Sequence, residues 1–100
     1  VSIQNHDTLD FLRPDDVIEI SCDLSRDGLK PVTPVKVPTA QKNMIACVKE
    51  YERLAVAAIL QQDKSLAVRA LMAHPLIGSY SLAKTLVEAY LDDEQFAAWR

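Results

Sequence analysis

Residues 12–29 read Leu12-Arg-Pro-Asp-Asp-Val-Ile-Glu-Ile-Ser-Cys-Asp-Leu-Ser-Arg-Asp-Gly-Leu29, a turn, an alternating stretch and a second turn. Pro14 fixes its own φ and disfavours helical geometry at Arg13, while Asp15 and Asp16 can accept from nearby backbone N–H groups, so Arg13–Asp16 is a turn with a mechanism. Val17-Ile-Glu-Ile then alternates with the period of a strand. Asp27-Gly28 separates Val17–Leu24 from Leu29–Val32, which predicts an antiparallel hairpin whose tight turn needs a positive φ.

Upstream, Val1-Ser-Ile-Gln alternates again, and the polar connector between the two strands holds Asn5, His6, Asp7 and Asp10. Downstream, Pro31, Pro34 and Pro38 recur too closely for a central strand, which predicts an extended crossing segment. The remainder is helical in pattern. Met44, Val48, Tyr51, Ala55, Ala58 and Ile59 fall three or four apart and predict a helix over about Pro38–Gln62, with one stripe facing a core. Leu54–Leu60 is apolar nearly all round, which requires neighbours on several sides. Asp63 is placed to cap a second helix over about Lys64–Ala73, which Pro75 ends. Ser79 or Ser81 caps a third through Leu91, with Leu82, Leu86, Val87, Tyr90 and Leu91 inside. Asp92-Asp93-Glu94 stops that helix and starts a short fourth turn carrying Phe96 and Trp99.

The expected fold class is therefore α+β: short antiparallel strands over about 1–36, then a bundle of three to four helices over 37–100. Val1 in place of Met, opening in strand-like character, suggests that an upstream portion was cut away. With 100 residues, 49% hydrophobic and 25% charged, the chain reads as one ordinary globular region. Burial at this size is marginal, so self-association is expected. A net charge of −3 with 11 scattered basic residues excludes a sequence-independent nucleic-acid binder, which needs clustered Lys and Arg. The longest apolar run, Leu54–Leu60, is far short of the ~20 residues that span a membrane. Cys22 and Cys47 have no second pair and read as buried free thiols in a reducing, cytoplasmic setting.

Candidate chemistry is sparse. Asp23-Leu-Ser-Arg-Asp27-Gly28 opens like a calcium loop, but position twelve is Pro34 rather than a bidentate Glu, so a plain hairpin turn is expected. His6, Asp7 and Asp10 are the right donor types for a metal or a proton, yet their spacing specifies nothing and a solvated loop accounts for them. His74, at a helix end, suits stabilisation of the last carbonyls. Asp15 and Asp16 suit turn formation rather than acid–base work. Ser79-Tyr80-Ser81 lacks a nucleophile-elbow setting, neither Cys adjoins a His, and glycine occurs only at 28 and 78, which leaves no glycine-rich phosphate cradle.

In this order the chain resembles the C-terminal region of family 4 glycoside hydrolases, the 6-phospho-β-glucosidase and α-galactosidase group. The resemblance is carried by the strand Val1–Asn5, the turn Leu12-Arg-Pro-Asp-Asp16, Val17-Ile-Glu-Ile20, Arg26-Asp-Gly-Leu29, Val37-Pro38, the Tyr51–Ala58 helix before Gln62-Asp63, and Ala73-His-Pro-Leu76. Three positions depart: Asp7 stands where the family usually has Gly, the turn proline is displaced by one to Pro14, and Ser21 stands where Pro is common.

The resemblance implies a parent enzyme in which NAD oxidises a sugar hydroxyl, a divalent metal, commonly manganese, stabilises the oxyanion, and a base removes a proton so that the glycosidic bond eliminates. The family's glycine loop, metal-binding Cys and His and tyrosine base all precede this region. No catalytic, cofactor-binding or metal-binding residue is therefore carried over to this chain. The resemblance implies a structural role in the substrate lobe, subunit contacts that make a homo-oligomer, and a parent that takes a phosphorylated disaccharide or glycoside. The rival expectation is a free-standing helical module that binds another protein through its apolar face.

Overall fold

The computed structural model describes residues 1–32 and 36–99. Pro34 and the middle of the expected crossing segment lie outside the described residues. Two compact units divide the chain, Val1–Asn43 and Met44–Arg100. Strands precede helices, in the α+β order that the sequence predicts.

The first unit holds β1 (Ser2–Gln4), β2 (Val17–Glu19), β3 (Cys22–Ser25) and β4 (Gly28–Pro31). β1 pairs antiparallel with β2, with Ile3 opposite Ile18, and β3 pairs antiparallel with β4. The expected single strand over Val17–Leu24 is thus two strands in two separate sheets. The switch falls between Ile20 and Ser21. Val1 and Ile20 exchange N–H···O bonds of 2.9 and 3.1 Å, extending the first ladder, whereas Ser21 O accepts from Val32 N at 2.8 Å, extending the second. The change of partner is a backbone event, and a period of two persists on both sides of it.

In the β3–β4 hairpin, Ser25 pairs with Gly28 and leaves Arg26-Asp27 as the loop. Gly28 has φ +104° and no non-glycine residue of this turn has positive φ, so the left-handed demand falls on the residue that lacks a Cβ. Asp27 N–H is held by Ser25 Oγ at 3.2 Å.

The helix α1 (Thr39–Gln61) begins in the first unit and continues through the second, followed by α2 (Lys64–Ala73), α3 (Tyr80–Tyr90) and a 3-10 turn at Glu94–Phe96. These boundaries follow local chemistry. Gln62 ends α1 in left-handed geometry, φ +53°, with Asp63 N–H returning to Ala58 O. Asp63 then caps α2, its Oδ1 accepting from Ser65 N at 2.7 Å and Leu66 N at 3.1 Å. Ser79 rather than Ser81 caps α3, accepting from Leu82 N at 3.4 Å, and Asp93 caps the 3-10 turn through Gln95 N at 3.0 Å.

The helical core is narrow. Ala58, Ala70, Ala83 and Val87 are buried, and α2 packs on α3 with Ala70 and Ala83 fully shielded. Small side chains there permit close approach but contribute little apolar area. The expected interior is corrected at several positions. Met44 and Ile59 of the α1 stripe are exposed, as are Leu82, Leu86 and Tyr90 of α3. Leu54–Leu60 is not covered on several sides: Val56, Ile59 and Leu60 face solvent, Leu60 at 79%. The two cysteines are not both buried, since Cys22 is half-buried and Cys47 exposed. Among the described residues, no helix is long and apolar enough to cross a membrane.

Candidate functional site

Residues 5–16 carry His6, Asp7, Asp10, Asp15 and Asp16 of the sequence's candidate groups, and a buried polar residue organises the loop. Asn5 is wholly shielded from solvent. Its backbone N–H continues the β1–β2 ladder to Asp16 O at 2.7 Å. Its side chain then turns into the loop. Nδ2 donates to Leu9 O at 3.0 Å and Arg13 O at 3.1 Å, with Leu12 O at 3.5 Å, while Oδ1 accepts from Leu9 N at 2.9 Å. Carbonyls on one side and an amide N–H on the other leave only one orientation of the Asn5 amide consistent with all partners. An irregular loop that buries backbone groups needs such a hub, because each one left unpaired costs about 1–3 kcal/mol.

Asp16 is the second hub. It is buried, and its Oδ2 accepts from Arg13 N at 2.9 Å while its own N–H donates to Arg13 O at 3.2 Å. This is the turn role that the sequence predicts for the Asp15–Asp16 pair, taken by Asp16; Asp15 is exposed. Between the hubs, a tight turn over Asn5–Thr8 is closed by Thr8 N donating to Asn5 O at 2.8 Å. His6 occupies it with φ +50°, a left-handed conformation that is costly for a residue with a Cβ. Its N–H is tied to Pro14 O at 2.8 Å, so the backbone cannot relax locally.

His6 and Asp7 consequently stand exposed at the loop's outer edge. Asp10 points elsewhere, to Lys42 Nζ at 3.7 Å, and the same ammonium lies 5.1 Å from the centre of the Phe11 ring. Lys42 thus fastens the start of α1 to this loop by a charge pair and a cation–π contact. Among the described residues, no three His, Cys, Asp or Glu side chains are placed to hold a metal ion.

His74 performs a different task from the one its position predicts. Its backbone N–H donates to Leu71 O and ends α2, but the ring reaches forward: Nδ1 accepts from Leu76 N at 3.2 Å. The ring also meets Tyr51 edge-on, centroids 4.8 Å apart at 88°. His74 therefore joins α1 to the α2–α3 corner, and an imidazole that accepts at Nδ1 carries its proton on Nε2.

Beside that contact α1, α2 and α3 enclose an open groove of about 630 Å³, lined by Tyr51, Ile59, Leu71, Val87, Phe96 and Trp99 among others. Its walls are hydrocarbon and aromatic, with no titratable group other than tyrosine hydroxyls. Neither this groove nor the Asn5 hub is legible as a site in the sequence. The nearest available signal for Asn5 was its position at the end of a strand, directly before a long polar connector that closes in Pro14-Asp15-Asp16.

Residues 1–77 match the family described as "Family 4 glycosyl hydrolase C-terminal domain". The chain is 34% identical over 92 residues to the 6-phospho-beta-glucosidase BglT of Thermotoga maritima, covering 92% of this chain and 22% of that protein. It is 25% identical over 92 residues to a probable 6-phospho-beta-glucosidase of Bacillus subtilis, covering 92% and 21%. It is 24% identical over 89 residues to the phospho-alpha-glucosidase PagL of Clostridium acetobutylicum, covering 89% and 20%. The chain thus spans about a fifth of the length of these curated relatives. It belongs to the family 4 glycosyl hydrolase C-terminal domain family.

Proposed function

From that membership we infer that the chain is the C-terminal region of an NAD- and divalent-metal-dependent glycoside hydrolase, a 6-phospho-β-glucosidase that works in the cytoplasm with manganese as its metal. The observation that supports this most is the match over residues 1–77, together with two relatives that carry the 6-phospho-beta-glucosidase name. In this reading the region supplies scaffold and subunit contacts, the assembly is a homo-oligomer, and the region is inactive by itself.

The cofactors do not fit the residues of this chain. Two separated glycines cannot form a dinucleotide cradle, and the described residues place no three metal donors together. No step of the reaction is assigned to any residue here. What the chain does supply is the polar-cored loop 5–16, fixed at Asn5 and Asp16, with Lys42 from the first turn of α1 paired to its Asp10.

The test is an assay of the full-length protein on nitrophenyl β-glucosides with and without a 6-phosphate, in the presence and absence of NAD and manganese. Turnover is expected only on the phosphorylated substrate and only with both additions, and a chelator should abolish it. Hydrolysis that proceeds without NAD, or that prefers the unphosphorylated glycoside, would overturn the reading.

A further inference from the structure

We draw no further inference here: the strongest candidate, the open apolar groove among α1, α2 and α3 lined by Tyr51, Phe96 and Trp99, carries nothing because nothing in the structure shows what covers it.

Discussion

Asn5 and His6 are neighbours with opposite accounts. Asn5 is paid for by its bonds: four side-chain hydrogen bonds converge on one fully buried amide. Asn5→Ala leaves Leu9 N–H without its acceptor and takes one of two donors from each of the carbonyls of Leu9 and Arg13, which keep Leu12 N and Asp16 N, and a loss of about 3 kcal/mol is expected in the first unit. Hydrogen exchange resolves this by residue. The Leu9 amide, whose acceptor is Asn5 Oδ1, should exchange faster by roughly two orders of magnitude, with the amides of α2 unchanged; unchanged protection at Leu9 would show that Asn5 is not the hub. His6 instead holds a left-handed backbone at φ +50° for an exposed side chain. His6→Gly relieves strain of about 1–2 kcal/mol and forfeits about 0.4–1 kcal/mol of unfolded-state entropy, so thermal unfolding should show the variant slightly stabilised. His6→Val, β-branched at the same φ, should be less stable than the glycine variant by about 2 kcal/mol. Equal stability of the two would mean that the turn can relax. Neither property was legible in the sequence, because an asparagine or a histidine in a polar connector reads as solvated unless its partners, up to eight positions away, are known.

At the scale of elements, what is local was legible and what depends on a partner was not. Asp63, Pro75 and Ser79 mark the ends of α2 and α3 by their own chemistry, and the helices stop where those residues place them. Asp63→Ala should therefore cost about 1 kcal/mol of helical-unit stability, since two N–H groups lose a short charge-assisted acceptor. Ser79→Ala should cost less, its single bond being 3.4 Å long. Urea unfolding followed through Trp99, which lies in that unit, gives both values, and the reverse order would refute the capping argument. Strand pairing shows the other side. Val17–Leu24 has the same alternation before and after Ile20, so nothing in the pattern announces that Ser21 begins bonding to Val32 in place of continuing along β1. Periodicity likewise identified the apolar stripes of α1 and α3, but a stripe states only which face is apolar, not whether anything covers it.

The whole molecule carries more uncovered hydrocarbon than its small core explains. Val56 and Leu60, one helical turn apart on α1, are exposed at 56% and 79%, and Leu82, Leu86 and Tyr90 line α3 at the same spacing, Tyr90 at 75%. Burying one such side chain fully is worth about 1.5–3 kcal/mol, so a few of them provide the driving force that the proposed subunit contacts need. A net charge of only −3 opposes association weakly. The consequence is separable from folding. Leu60→Lys changes a residue that the fold hardly contacts, so unfolding free energy should move by no more than about 0.5 kcal/mol. The same lysine placed in an apolar contact would have to be desolvated, at a cost of several kcal/mol, and association should weaken by more than tenfold. Sedimentation equilibrium distinguishes these outcomes: the unmodified chain should exceed 11.1 kDa in weight-average mass as concentration rises, and the Leu60→Lys chain should remain near it. A chain that stays monomeric throughout would remove this surface from the proposed interface, and an intact oligomer in the lysine variant would move the contact from the end of α1 to the stripe on α3.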